Sequence, residues 1–377
     1  MGGGGEEQAA NPANAARITR AATRTRLIFG STFGIISKAN GATAPAAGYF
    51  VQYPLPAPKH EKSAARRTAR HSPAHPPAPY FCPVYDFLTT SPWPDYELLD
   101  CGNFQKLERF GPYLLARPEP QAIWDPHLPV SEWERADAAF ARATGSQEKG
   151  QWRLKPAMPE QWLIDYQRPD GLALKFRLGL SSFKHVGLFP EQDPNWQFIY
   201  NQTRKRRAAQ PRVLNLFAYT GAATLAARAA GADVTHLDSV KQVNFWARDN
   251  MEASRLDGVR WLVEDAMKYV RREVKRGSKY QGLILDPPAY GRGPNGEKWQ
   301  LEDELNELLK LSQQLLDPAD HFFVVNLYSL GFSALILDNL VTAIFPGQKA
   351  VRELGEIYLH DAGQRKLPLG TFCRFAT

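Results

Sequence analysis

From residue 213 onward, short unbroken apolar runs alternate with longer stretches in which apolar residues recur every three or four positions. The runs at 213–217, 234–238, 261–265, 283–286 and 322–327 are rich in Val, Leu, Ile and Phe. Runs this short read as strands, and those apolar throughout read as strands buried on both faces. The intervening stretches at 222–230, 240–256, 267–276, 301–316 and 332–344 carry the helical spacing. Such alternation predicts a mostly parallel sheet joined by right-handed crossovers. The end of the chain breaks the rhythm. Segments 353–359 and 368–375 flank Asp361-Ala362-Gly363 with no helix between them, which predicts a closing antiparallel hairpin.

Upstream the pattern changes. Short β-like runs at 96–99, 113–116, 152–154, 162–166 and 173–178 are punctuated by Pro and Gly, and 132–141 reads as a helix. The chain therefore divides into a small β-rich α+β domain over 81–190 and an α/β body over 191–377. Residues 1–80 are rich in Ala, Arg, Pro, Gly, Ser and Thr without sustained periodicity, the composition of a disordered basic tail. Within it Arg17, Arg20, Arg24 and Arg26 stand among Ala and Thr with few acids, as in an organelle transit peptide. The plain alternative is an extension without function.

Charge narrows the picture less than it first promises. The chain has 377 residues and a formal net charge of +7, but the first 80 residues hold ten basic and three acidic groups. The remainder carries 36 of each sign, so the excess belongs to the tail and is weak evidence for nucleic-acid binding by the body. Cys82, Cys101 and Cys373 are widely spaced and odd in number, which excludes a disulfide framework and a Cys-rich metal site. No apolar stretch approaches the roughly eighteen residues of a membrane span. A reducing, cytoplasmic setting is expected, or an organelle if the tail acts as a transit peptide.

The chemistry gathers at strand ends. The first strand of the body runs into Asn215-Leu216-Phe217-Ala218-Tyr219-Thr220-Gly221, where Gly221 permits a tight turn and close backbone approach to a ligand. The second ends in Asp238, spaced to bind ribose hydroxyls. The third ends in Glu264-Asp265-Ala266, where a carboxylate can accept from an adenine amine. The fourth ends in Asp286-Pro287-Pro288-Ala289-Tyr290. Taken singly, Gly221 reads as a turn glycine and Asp238 and Asp265 as helix N-caps. Four consecutive strands ending this way point to a nucleoside-containing cofactor. A dinucleotide would call for Gly-x-Gly-x-x-Gly after the first strand. One glycine in an Ala-rich setting provides little for a pyrophosphate, so S-adenosylmethionine is favoured over NAD.

These motifs resemble class I S-adenosylmethionine-dependent methyltransferases, and more narrowly the bacterial 23S rRNA large-subunit methyltransferases of the I and K/L types. Phe183-Lys184-His185-Val186-Gly187-Leu188-Phe189-Pro190-Glu191-Gln192 is similar to the hairpin that precedes the catalytic domain of that family. The resemblance spans about 183–375. It implies a Rossmann-like sheet and assigns Phe217, Tyr219, Thr220 and Gly221 to the methionine part of the cofactor. Asp238 falls on the ribose acid, and Asp265 with Ala266 on the adenine position. Asp286, Pro287 and Pro288 fall on the motif facing the target atom.

The departures from the family matter equally. Members that methylate cytosine C5 use a cysteine near the fourth or fifth strand. Those regions here read Asp286-Pro287-Pro288-Ala289-Tyr290 and Asn326-Leu327-Tyr328-Ser329-Leu330, without one. Cys373 lies far along the chain and reads as a core residue. The expected activity is therefore methylation of an RNA base at a nitrogen, with the Asp286 carboxylate and the Pro287 carbonyl orienting the amine and Tyr290 stacking on the base. The RNA-binding module of the family's amino end is not recognisable. Protein or small-molecule methylation, or cofactor binding without catalysis, are the alternatives, and no metal is expected.

Overall fold

The computed structural model describes residues 85–142, 150–181, 183–328, 331–348 and 352–377. The expected disordered tail and transit signal lie outside the described residues. In chain order the strands of the first half are β1 (Asp86–Thr89), β2 (Tyr96–Gly102), β3 (Gln105–Phe110) and β4 (Tyr113–Pro118). A short helix α1 (Val130–Trp133) leads to β5 (Ala138–Arg142), β6 (Gly150–Leu154), β7 (Gln161–Gln167) and β8 (Ala173–Gly179). Helix α2 (Asp193–Lys205) opens the α/β part, which continues with β9 (Arg212–Leu216), α3 (Ala222–Ala229), β10 (Asp233–Asp238), α4 (Lys241–Ala253), β11 (Val259–Val263) and α5 (Ala266–Lys275). Then come β12 (Gly282–Leu285), β13 (Tyr290–Arg292), β14 (Lys298–Gln300), α6 (Leu301–Leu315), β15 (Phe322–Leu327), α7 (Ala334–Ile344), β16 (Glu353–His360) and β17 (Lys366–Ala376).

The large sheet has the order β1-β16-β17-β15-β12-β9-β10-β11. Its inner pairs are parallel, and β17 runs antiparallel to both β15 and β16. The mixed α/β sheet with an antiparallel terminal hairpin is thus the architecture that the hydrophobic pattern predicts. From β9 the chain builds outward through β10 to β11, then returns to place β12 on the other side of β9. A crevice opens at that reversal, at the carboxyl ends of the strands, where sheets of this kind bind ligands.

Alternate residues of the central strands feed two cores. Val213, Ile284, Phe322 and Val324 pack on one face with Trp196 and Ile199 of α2 and Leu225 and Ala226 of α3. Leu214, Leu285, Phe323 and Val325 pack on the other with Tyr269, Leu305, Leu308 and Leu337. Both faces are covered, which is why the strands read as continuous apolar runs.

Two expectations are corrected and two elements are new. The helix read over 132–141 shrinks to α1, because Ala138–Arg142 forms β5 and pairs antiparallel with β6. Its alanines favour a helix by propensity, but burial of Ala138 and Phe140 on one face decides for a strand. Helix α2 was not anticipated. Segment 183–192 is no hairpin but a loop that ends in the 3₁₀ turn Pro190–Gln192. The Gly-rich stretch after Asp286 holds a further unanticipated element, the small hairpin of β13 with β14.

The β-rich part forms a five-stranded sheet, β2-β3-β4-β5-β6, and a separate hairpin of β7 and β8. Strand β1 instead joins the edge of the large sheet, parallel to β16. The terminal hairpin is tied to β2 by Arg365, which pairs with Asp361 and Asp100 and donates to the Asp125 carbonyl at 2.6 Å.

Candidate active site

Strand β9 leaves the sheet through a strained loop. Phe217, Tyr219 and Gly221 all adopt positive φ, at 55°, 50° and 90°. A non-glycine residue held there costs about 1–2 kcal/mol, so the surroundings must enforce it. They do so with four hydrogen bonds. Asp238 Oδ2 accepts the Tyr219 N–H at 2.9 Å, and the Ala218 N–H reaches the Leu237 carbonyl at 3.1 Å. Thr220 Oγ1 donates to the Gly187 carbonyl at 2.6 Å, and Asn250 Nδ2 to the Thr220 carbonyl at 2.9 Å. Gly187 itself has positive φ, and a Cβ there would run into the Trp246 ring. Segment 183–192 therefore reaches the first strand loop through a position that only glycine fits.

Asp238 accepts the Val240 N–H on its other oxygen, also at 2.9 Å. Burial pushes its carboxyl upward, against the pull of the Val240 and Tyr219 N–H groups. A carboxylate has about four lone-pair positions. Two are used in the fold, which leaves two to accept from a ligand. Asp265 caps α5, accepting the Lys268 N–H on Oδ1 at 2.8 Å, and Ala266 is buried beside it.

Register brings the fourth and fifth strand ends together. Leu285 of β12 pairs with Val325 of β15, so Asp286 and Asn326 follow side by side. Asn326 Nδ2 donates to Asp286 Oδ1 at 2.9 Å. Loss of water raises the Asp286 carboxyl to about 6, and the Asn326 amide opposes the rise. Pro287 is buried and Pro288 exposed. The Pro288 carbonyl accepts from Trp299 Nε1 at 2.6 Å, and the Trp299 ring sits 4.8 Å from that of Phe217. That contact pins the β13–β14 hairpin to the first strand loop. Tyr290 projects from the hairpin with 69% of its surface exposed.

An open pocket lies between these ends. It brings together Phe217, Tyr219, Thr220, Gly221 and Asp286 from the sequence-derived set. Asp238, Asp265, Ala266, Pro287, Pro288 and Tyr290 do not line it; the two acids stand at the neighbouring strand ends. The pocket adds residues that sequence reasoning missed: Phe189, Gln192 and Asn195 from the turn into α2, and Asn326. The spacing of Trp196, Ile199, Tyr200 and Thr203 behind Pro194 was a usable signal for that helix. Asp286 is the one charged side chain in the lining. Such a lining suits a sulfonium and an ammonium group and offers no cation to a pyrophosphate. The residues present therefore fit S-adenosylmethionine.

A buried charged cluster lies close by. Lys106 Nζ stands 3.6 Å from Glu108 and 3.5 Å from Glu119, Arg117 pairs with Glu108 at 2.6 Å, and Tyr328 Oη donates to Glu119 at 3.3 Å. Glu191 joins it from the 3₁₀ turn with Oε2 unpartnered among the described residues. Burial pushes Glu191 up to about 7 and Lys184 down to about 8. Cys101 and Cys373 are free thiols buried away from the pocket, and burial raises both to about 12.

Residues 89–340 match the family of S-adenosylmethionine-dependent methyltransferases. The chain belongs to that family. The methyltransferase is similar to a solved S-adenosylmethionine-dependent methyltransferase from Agrobacterium tumefaciens, with 37% identity and a TM-score of 0.71 over 78% of this chain and 94% of that one. It is also similar to ribosomal RNA large subunit methyltransferase K/L of Shewanella frigidimarina, 28% identical over 148 residues. The same-named protein of Pseudoalteromonas atlantica is 24% identical over 226 residues. These matches cover 38% and 59% of the methyltransferase but only 20% and 29% of the relatives, which are much longer proteins. No helix among the described residues is long and apolar enough to cross a membrane.

Proposed function

We propose that this methyltransferase transfers a methyl group to an amino nitrogen of an RNA base. The observation that carries the reading is the Asp286–Asn326 pair facing a pocket without a cysteine among its lining residues. Covalent attack on a pyrimidine carbon needs a thiolate, whereas an amine needs only acceptors that orient its lone pair. RNA as substrate is supported by the names of the curated relatives.

In this reading Phe217, Tyr219, Thr220 and Gly221 hold the methionine part of the cofactor, Asp238 the ribose, and Asp265 with Ala266 the adenine. When bound, S-adenosylmethionine supplies a methyl carbon activated by a positively charged sulfur. Asp286 and the Pro287 carbonyl accept N–H groups of the target and aim its lone pair, and the ionised carboxylate stabilises the charge that develops on nitrogen. The two prolines stiffen that segment, and exposed Tyr290 stacks on the base. Apart from β1, the β-rich residues of 81–190 form a module beside the catalytic residues of 191–377, and the enzyme acts in the cytoplasm.

Incubation with tritiated S-adenosylmethionine and total RNA from a strain lacking the gene, followed by digestion to nucleosides, tests the proposal. An N-methylated nucleoside is expected. Label confined to protein or small molecules would overturn the RNA assignment, and a C5-methylated pyrimidine would overturn the mechanism.

A further inference from the structure

One residue of the pocket wall carries a buried acceptor that the fold leaves idle. Asn326 is 4% exposed and lines the pocket, yet its Oδ1 has no hydrogen-bond partner among the described residues. Burying an unpaired acceptor costs about 1–3 kcal/mol, so such groups are few in native proteins and each calls for an explanation. The side chain cannot relieve the cost by turning over. An ionised carboxylate only accepts, so the amide must present Nδ2 to Asp286, and Oδ1 then faces elsewhere. The strand behind offers no side chain to it. Gly370 of β17 stands there, and a Cβ at that position would lie 3.2 Å from Oδ1.

We infer that Asn326 is a second side-chain contact for the methyl acceptor, its amide oxygen sharing one N–H of the incoming amine with the Pro287 carbonyl while Asp286 takes the other. The site is then built for a primary amine. With acceptors on both N–H bonds, the lone pair is left pointing in a single direction. A secondary amine, a hydroxyl or a ring nitrogen lacks the second hydrogen and leaves Oδ1 idle. The inference rests on the amine reading above and deepens it, by adding a residue from β15 that also holds the Asp286 carboxylate in place.

The test needs no knowledge of the natural substrate. Sinefungin carries an amino group where S-adenosylmethionine carries its transferable methyl, and S-adenosylhomocysteine has nothing there. The ratio of their affinities, measured by titration calorimetry, reports acceptors at the transfer position. Asn326→Leu keeps the volume and removes the acceptor. It is expected to reduce the preference for sinefungin about tenfold while S-adenosylhomocysteine binding stays within about twofold. Asn326→Asp, which adds charge, is expected to raise the preference, and it carries the test if the leucine variant does not fold. An unchanged ratio in both variants, or an equal loss of both ligands, would overturn the inference. Asp286→Asn separates the two levels of the argument. If it lowers the ratio and the Asn326 variants do not, only the second contact is lost; if none of them moves it, the amine reading falls as well.

Discussion

Glu191 offers a stability measurement with a definite sign. Its carboxyl is 4% exposed, Oε2 has no partner among the described residues, and burial pushes it from the ordinary range near 4.5 up to about 7. Lys106 and Arg117 pull it down and Glu108 pushes it up, but burial dominates. Between about pH 4.5 and 7 the native state therefore holds a proton that the unfolded chain has released. Stability falls as pH rises through that window and levels off above it. At about 1.36 kcal/mol for each pH unit, the full effect is on the order of 3 kcal/mol. Glu191→Gln imitates the protonated form at every pH. Its advantage over the parent should be small at about pH 5 and grow by roughly 2.5 kcal/mol by about pH 8. Urea unfolding of both proteins at the two pH values measures this directly, because groups that titrate alike in both cancel. A difference that stays flat across the range, or a variant less stable at the higher pH, would refute the burial argument.

Other consequences are as direct. Asp286→Asn should lower kcat by about 10²–10³ with S-adenosylmethionine affinity little changed, as expected for a group that acts on developing charge. In the parent, kcat should fall as pH drops below about 6, where the carboxylate gains its proton, and a profile flat to pH 5 would contradict this. Gly221→Ala forces a side chain to φ +90° with its Cβ 3.1 Å from that of Ala247. A loss of about 1–2 kcal/mol by denaturant titration is expected, with at least tenfold weaker cofactor binding. Arg365→Ala leaves the buried carboxylates of Asp100 and Asp361 without their counter-charge, though both keep other donors. The cost should be about 2–3 kcal/mol, below that of a fully buried pair because the guanidinium is partly exposed; a change under 0.5 kcal/mol would show that the link contributes little.

Where the chain was legible and where it was not follows from the range of the forces involved. The central strands β9, β12 and β15 were readable because each is covered on both faces, so its run of apolar residues stands alone against polar helices and glycine turns. The Asp-Pro-Pro after β12 was readable because proline stops a strand locally, whatever lies around it. The stretch from Ala138 to Arg142 misled because its alanines carry a helical preference weaker than the pairing with β6. The hairpin of β13 and β14 escaped notice because its anchor points lie outside its short strands, where Trp299 meets the Pro288 carbonyl and the Phe217 ring.

The sequence by itself determined the class of sheet, the closing hairpin and which strand ends carry chemistry, since those depend on periodicity and on residues adjacent in the chain. Only the tertiary structure decided which of these ends share a pocket. Asp286 and Asn326 are forty positions apart and meet because two parallel strands pair in one register. Asp238 fixes the Tyr219 loop from nineteen positions away. Glu191 becomes a neutral-range acid only because the fold strips its water, against the pull of Lys106 on β3 and Arg117 on β4. Desolvation and register are properties of the assembled fold, and no local pattern of residues encodes them.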